Sequence, residues 1–431
     1  MNKKVKFLTL GCKVNQYESE AMKELFLARG YDLTDEDNCD IFVINTCTVT
    51  NLSDRKARQY ISKVKRNNHD AVIAVVGCYA QVNADQIEKI DGVNIILGTQ
   101  NKNKIVDLCE EYENTQQNIN IVRDFERLED YEEMKTSQEQ DMTRAYIKIQ
   151  DGCNQYCSYC IIPYARGPIR SRNIEDVEKE ALKLADQGYK EVVLTGIHVA
   201  SYGKDFKDLE ISLADVIEKI ASIDKIERIR MSSLEPSIIS DDFLLRLKNT
   251  GKICDHFHLS LQSGSDKILK LMNRKYDTKM YFDKVELIRK YFPNAGITTD
   301  IIVGFPNESE EDFLDTLDFV KKVAFSKIHV FRYSRREGTK AYDMSGQIDG
   351  NTKKKRSSRL IDCAKEMTDE FLDKNLSYNH DVLFESKNDD GYMYGYTTNY
   401  IRVKKKYDPD LVNQIVNLKL DKRENEELIS L

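Results

Sequence analysis

The sequence predicts an α/β protein in three parts: an N-terminal doubly wound parallel α/β domain, a central partial (β/α)6 barrel and a small C-terminal β-barrel. Three observations carry this. Over residues 1–112, short β-branched apolar runs alternate with helical stretches. From Tyr146 a second such alternation passes through six strands. Beyond residue 371 the helical period gives way to short strands separated by turn residues.

In the first part the expected strands are Val5–Leu10, Ile41–Asn45 and Val72–Val76, with helices at Tyr17–Arg29 and Asp54–Arg66. Each strand runs directly into a cysteine: Cys12, Cys47 and Cys78. Ligands of open α/β sheets gather outside the carboxyl ends of strands, so three cysteines in equivalent places can converge on one point. Residues 113–143 are polar and acidic and read as a linker. The central part, 144–371, has candidate strands at Tyr146–Gln150, Val192–Thr195, Ile229–Ser232, Phe257–Leu261, Thr298–Val303 and Ile328–Phe331. Six units fall short of an eight-unit barrel, hence the partial barrel, whose working groups belong on the loops after strand ends. In the last part, 372–431, Tyr392, Tyr394 and Tyr396 share one strand face by parity, and some of them are expected to be buried.

The formal net charge of −7 over 431 residues rules out a global basic field, which excludes a general DNA-binding character and leaves any RNA surface local. The C-terminal part holds nine Lys/Arg against eleven Asp/Glu, so only the patch Arg402, Lys404, Lys405 and Lys406 beside Tyr400 suits phosphate and base stacking. The apolar run Phe7–Leu10 is too short for a signal core or a membrane span, and the expected location is the cytoplasm. Ten cysteines in a reducing compartment point to metal or redox chemistry rather than disulfides.

The decisive run is Asp151-Gly152-Cys153-Asn154-Gln155-Tyr156-Cys157-Ser158-Tyr159-Cys160. A loop with this spacing directs three thiolates at three irons of a cubane cluster and leaves the fourth iron open. An open metal position is what a substrate needs, and the amino and carboxylate groups of S-adenosylmethionine (SAM) suit it. A structural zinc site would require a fourth ligand. No second cysteine pair accompanies this loop, and the nearest histidine, His198, lies 38 residues beyond Cys160.

The Cys-x3-Cys-x2-Cys spacing with Tyr159 before the last cysteine resembles the signature of the radical SAM superfamily. The segments Thr9-Leu10-Gly11-Cys12-Lys13-Val14-Asn15-Gln16-Tyr17-Glu18 and Asn45-Thr46-Cys47-Thr48-Val49-Thr50 resemble its methylthiotransferase branch, MtaB type. The resemblance spans essentially the whole chain, through Ser260-Leu261-Gln262-Ser263-Gly264-Ser265 and Thr299–Pro306 to a terminal module similar to TRAM domains. It implies two [4Fe-4S] clusters, one on Cys153, Cys157 and Cys160 and a second on Cys12, Cys47 and Cys78. The other cysteines, Cys39, Cys109, Cys254 and Cys363, get a structural reading. The implied reaction adds a methylthio group at C2 of N6-threonylcarbamoyladenosine 37 in the tRNA anticodon loop, with electrons from a reductant such as flavodoxin or ferredoxin. Tyr159 would then lie beside the cofactor's adenine.

Strand-end placement adds Gly196, Glu235, Gln262 and Ser263 as cofactor contacts. Arg166, Arg170 and Arg172, with Arg335 and Arg336 after the sixth strand, are candidates for tRNA phosphates or the threonylcarbamoyl carboxylate. The competing readings are methylthiolation of isopentenyladenosine 37, of a ribosomal protein aspartate, and a non-catalytic iron–sulfur RNA-binding module.

Overall fold

The computed structural model describes residues 2–49, 51–68, 70–125, 130–134, 136 and 143–430, with no side-chain account of Asn51 and Leu52. The N-terminal sheet contains β1 (Lys4–Thr9), β2 (Asp32–Leu33), β3 (Ile41–Thr46), β4 (Val72–Gly77), β5 (Ile95–Leu97) and β6 (Ile119–Asn120). All are parallel, in the order β2-β1-β3-β4-β5-β6. Helices α1 (Lys13–Ala28), α2 (Asn51–Asn67), α3 (Cys78–Val82), α4 (Ala84–Glu88) and α5 (Ile105–Thr115) connect them. β3 and β4 are buried along their whole length, as strands covered on both faces must be.

The barrel strands are β7 (Arg144–Asp151), β9 (Glu191–Gly196), β10 (Arg228–Met231), β11 (His256–His258), β12 (Gly296–Val303) and β13 (Lys327–Arg332), with β8 (Arg170–Ser171) a short antiparallel partner of β7. Two parallel sheets, β10-β9-β7-β8 and β11-β12-β13, are joined by the bridges Ile229–Ile253 and Leu234–Leu259, giving six parallel strands in a partial barrel. After β7 come α6 (Ile162–Arg166) and α7 (Ile174–Asp186), then α8 (Leu213–Ala221), α9 (Asp241–Asn249), α10 (Asp266–Leu271), α11 (Thr278–Tyr291), α12 (Glu310–Val323), α13 (Lys340–Asp343) and α14 (Gly350–Lys374). Alternation along the strands divides two surfaces. Ile147, Ile149, Val192, Leu194, Ile229, Phe257, Ile297 and Ile301 face the helices in one large core, whereas Tyr146, Arg230, His256, His258, Thr298 and His329 line the lumen.

The terminal module is a sheet of β14 (Asn379–Phe384), β15 (Tyr392–Thr397), β16 (Arg402–Lys406), β17 (Ile415–Lys419), β18 (Lys422–Glu424) and β19 (Glu427–Ile429), ordered β17-β14-β15-β16-β19-β18 around a core with Val382, Phe384, Met393 and Val403.

Two expectations are corrected here. The 113–143 linker is no loose tether: its start completes α5, Ile119–Asn120 adds β6, Met134 joins the N-terminal core, and the Tyr131 hydroxyl donates to the Lys148 carbonyl at 2.9 Å. One of its acidic residues, Glu133, pairs with the buried Arg172. The face of β15 carrying Tyr392, Tyr394 and Tyr396 points away from the module's core, since Met393 and Thr397 occupy the inner positions. The rings instead hold cations: Arg402 over Tyr394 at 3.8 Å and Lys404 over Tyr392 at 4.4 Å. Tyr400 stacks on His256 of the barrel at 4.6 Å, so the basic patch and its platform are largely taken up internally.

Barrel arginines dock the module. Arg228 donates to the carbonyls of Asp381 (2.7 Å) and Tyr396 (3.1 Å), and Arg230 to those of Thr398 (3.0 Å) and Thr397 (3.2 Å) while pairing with buried Glu191 at 2.9 Å. Arg230→Ala removes the hydrogen-bonded partner of that carboxylate, leaving Arg228 at 3.8 Å, and is expected to cost about 3–5 kcal/mol. Denaturant unfolding, with protease cleavage between barrel and module read in parallel, measures both the loss and the undocking.

Candidate active site

β1, β3 and β4 are neighbours in register, and each ends at one cysteine, which places Cys12, Cys47 and Cys78 side by side at the sheet's carboxyl edge. Strands about 4.8 Å apart put the first and third within about 10 Å of each other. Two glycines permit the approach. Gly11, at φ +114°, would bring a Cβ within 2.7 Å of the Cys47 Cβ, and Gly77, at φ +94°, one within 2.5 Å of Asn45 Oδ1. Asn15 ties the loops by donating to the Leu10 and Thr46 carbonyls at 2.7 and 3.0 Å.

The second triplet follows β7. The Cys153 N–H donates to the Gly167 carbonyl at 3.0 Å and the Cys160 N–H to the Cys157 carbonyl at 2.9 Å, while Asn273 Nδ2 donates to the Tyr156 carbonyl at 2.9 Å. Arg274, unnoticed in the sequence, donates from Nη1 to Cys157 Sγ at 3.1 Å and lies 3.6 Å from Glu235. An arginine in the loop after the fourth barrel strand was the available signal, obscured by the neighbouring lysine of Arg274-Lys275.

All six cysteines are free thiols. Burial pushes Cys153 up to about 11 and Cys160 and Cys78 up to about 12, so buried sulfur here needs a cationic partner to ionise. Tetrahedral zinc would draw sulfurs to about 3.8 Å of one another. Among the described residues only His258, Asp300 and His329 bring three ligand atoms within 4.8 Å, so neither triplet is gathered for a single ion. Arginine donors to Cys78 and Cys157 fit the anionic sulfur that iron ligation requires.

Arg166, at the end of α6, joins the two regions. It is fully buried, and its Nε donates to Cys78 Sγ at 3.3 Å. Nη1 pairs with Glu18 at 2.9 Å and Asp151 at 3.0 Å, and Nη2 donates to Asn15 Oδ1 at 2.8 Å. Lys148 adds contacts to Glu18 (2.8 Å) and Asp151 (2.6 Å), and Lys102 one to Glu18 (3.1 Å). Burial alone would raise both carboxyls. Arg166 and the lysines outweigh it and hold Glu18 and Asp151 well below the usual carboxylate range.

The arginines expected to meet RNA are therefore engaged elsewhere. Arg166 is enclosed in this network. Arg172 is buried between Glu133 and Glu180. Arg170 is buried 3.9 Å from Asp151. Desolvated cations with internal carboxylates have nothing left for a phosphate. Arg335 is exposed against the Tyr342 ring at 4.2 Å, and Arg336 crosses to the N-terminal domain, pairing with Asp54 at 2.6 Å and with Thr48 beside Cys47.

Of the expected cofactor contacts, Glu235 is buried and accepts from Gln155 Nε2 at 3.0 Å, with His198 3.5 Å away. Burial opposes ionisation, but His198 and Arg274 hold its carboxyl below the usual range, and its Oε1 lacks a hydrogen-bond donor. Gly196 lies where a Cβ would sit 3.0 Å from the Gln150 carbonyl. Tyr159 packs against Phe305. Gln262 adopts φ +71° and bridges the β12 backbone. Ser263 departs from expectation: its hydroxyl faces Thr316 of α12 and accepts from the Ser265 N–H at 3.2 Å, which serves the turn.

Residues 4–98 match the family described as Uncharacterized protein family UPF0004, and residues 147–320 match the Radical SAM superfamily. A Bacillus subtilis protein named threonylcarbamoyladenosine tRNA methylthiotransferase MtaB is 43% identical over 96% of this chain and 93% of its own length. Its namesake from Thermotoga maritima is 37% identical over 93% of this chain and 91% of its own length. The chain belongs to the radical SAM methylthiotransferase family, MtaB type. Membership implies SAM and a [4Fe-4S] cluster. A tRNA-2-methylthio-N(6)-dimethylallyladenosine synthase of Finegoldia magna, 36% identical over 96% of this chain and 91% of its own length, marks a neighbouring branch of the family. The solved radical SAM methyltransferase TsrM from Kitasatospora setae matches with TM-score 0.58 over 79% of this chain and 77% of that one; at 13% identity the likeness speaks to fold alone.

Removing Arg166 from this family member takes from buried Glu18, Asp151 and Asn15 the guanidinium that hydrogen-bonds all three. Arg166→Met is expected to destabilise by about 3–5 kcal/mol, and Arg166→Lys to recover only part, because an ammonium cannot span Cys78, Glu18 and Asn15 together. Urea denaturation of both variants, beside the unaltered chain, checks the ordering.

Proposed function

We propose that this chain adds a methylthio group to C2 of N6-threonylcarbamoyladenosine 37 in tRNA, using a radical-generating cluster on Cys153, Cys157 and Cys160 and an auxiliary cluster on Cys12, Cys47 and Cys78. The observation that carries the reading is the Arg166 contact: α6, which begins two residues after Cys160, ends on a guanidinium held against Cys78. The segment that follows one cysteine triplet thereby touches a member of the other, which supports placing both at one site. When bound, the first cluster would supply the electron that cleaves SAM so that the resulting 5′-deoxyadenosyl group takes the C2 hydrogen, the second would supply the sulfur that replaces it, and another SAM would supply the methyl group.

The chain's own residues orient and enclose. Arg274 and Arg166 stabilise anionic sulfur at Cys157 and Cys78. Glu235, ionised and short of a donor at Oε1, suits the ammonium or a ribose hydroxyl of SAM. Gly196 admits the cofactor to the strand end, and Tyr159 with Phe305 forms an apolar side for its adenine. Gln262 remains a candidate contact from the β12 side. The anticodon loop would enter by the cleft of about 840 Å³ between the N-terminal domain and the barrel, edged by Arg58, Arg123 and Tyr164, near exposed Arg335. No described helix is long and apolar enough to cross a membrane. Electrons come from a small reductant of the flavodoxin or ferredoxin kind, in the cytoplasm.

Nucleoside mass spectrometry of tRNA from a deletion strain should show loss of 2-methylthio-N6-threonylcarbamoyladenosine and accumulation of its unthiolated parent; unchanged levels would discard the substrate. In anaerobically reconstituted protein, about eight irons per chain are expected. Cys157→Ala should abolish 5′-deoxyadenosine formation, whereas Cys47→Ala should keep cofactor cleavage and lose thiolation. Normal thiolation by Cys47→Ala would remove the auxiliary cluster from the reaction.

A further inference from the structure

A cavity of about 540 Å³ occupies the barrel lumen between β7, the strands β10 to β13 and the terminal module. That volume lies in the range of small-ligand sites. Most cations on its wall are already neutralised: Arg144 by Glu385 at 2.9 Å, Arg230 by Glu191 at 2.9 Å, Lys327 by Glu426 at 2.9 Å, and Arg402 by Glu427.

Lys13 is the exception. It has no carboxylate partner among the described residues, and its ammonium rests 4.7 Å from the centroid of the Tyr146 ring. It is also the residue after Cys12, so its charge stands where the lumen meets the auxiliary cysteines. Thr298, His256, His258 and His329 also line the cavity. Thr298 Oγ1 lies 3.0 Å from both His258 Nδ1 and His256 Nε2, and burial holds His256 and His329 below the usual imidazole range, hence neutral.

We propose that Lys13 sets substrate specificity by pairing with the carboxylate of the N6-threonylcarbamoyl group, which occupies the lumen cavity with Tyr146 on one side and Thr298 and His258 on the other. This rests on the function proposed above. C2 and the N6 substituent flank the same edge of adenine. A base whose C2 meets the auxiliary cysteines therefore presents its N6 group within side-chain reach of residue 13. The three arginines downstream of the cluster loop are enclosed with carboxylates and cannot take this role. An uncharged dimethylallyl group in the same cavity would cover Lys13 without offering its ammonium an acceptor, which disfavours that substrate.

Synthetic anticodon stem–loops test this, one carrying the natural acid at position 37 and one with its carboxylate converted to a carboxamide. With the reconstituted holoenzyme, kcat/KM for methylthiolation should favour the acid by about tenfold or more. Lys13→Ala should bring the two substrates to parity, Lys13→Arg should keep the preference, and Lys13→Glu should reverse it. Each comparison is a ratio within one variant, so partial loss of cluster or of folded protein cancels, and iron content is read alongside. An acid-over-amide preference retained by Lys13→Ala overturns the assignment while leaving the proposed function standing. A wild-type holoenzyme inert on the acid stem–loop overturns both.

Discussion

The architecture turns on one buried guanidinium. Arg166 reaches a thiol and a carboxylate of the N-terminal domain and a carboxylate of the barrel from a single planar fork. With Lys148 and Lys102 it makes three buried cations facing two buried carboxylates, Glu18 and Asp151. The surplus positive charge lies against Cys78, where an ionised sulfur would balance it. Burying so many charges is unfavourable unless each has partners. On the proposed function, an anionic Cys78 would meet that surplus, which would make the domain interface and the auxiliary site one electrostatic unit.

This explains why the cysteines sit at the ends of β1, β3 and β4 rather than on flexible loops. On the proposed function, a sulfur donor held there must meet a carbon held in another domain and would tolerate little positional error. Adjacent parallel strands fix spacing, glycines at 11 and 77 let the loops close, and Asn15 clamps them from α1, the helix that also supplies Glu18. Arg336 makes a second crossing to Asp54 and Thr48, so the barrel grips the Cys47 loop from the opposite side.

Much of this was legible in the sequence because it is local. Hydrophobic period gave the strands, and both triplets could be read from cysteines placed at strand ends. What escaped notice depends on partners far apart in the chain. Arg166, Arg170 and Arg172 look like an RNA-binding cluster only while Glu18, Asp151, Glu133 and Glu180 are invisible as their counter-ions. The same blindness turned the acidic 113–143 segment into a linker, although its Glu133 neutralises Arg172. Parity correctly put three tyrosines of β15 on one face but could not say which face met the core. Arg274 lies outside the cysteine motif and gains meaning only when α10 and α11 fold its loop over Cys157. Ser263 was expected to follow directly on a strand ending at Leu261, but β11 ends at His258 and the turn beyond it directs the hydroxyl toward α12.

A polar lumen is the remaining departure from ordinary barrel design, in which branched apolar side chains fill the centre. Here the helix-facing side of the strands carries the apolar core, and the lumen carries arginines, histidines and Thr298. Such a centre is costly to stability, and the terminal module compensates by covering it: Tyr400 stacks on His256, and Arg228 and Arg230 satisfy the module's carbonyls. A barrel that gives up its packed centre and is then covered by another domain has kept a cavity bordered by cations, imidazoles and hydroxyls. On the proposed function such a border suits an acidic substituent on a base better than an aliphatic one, because each donor that loses water must find an acceptor.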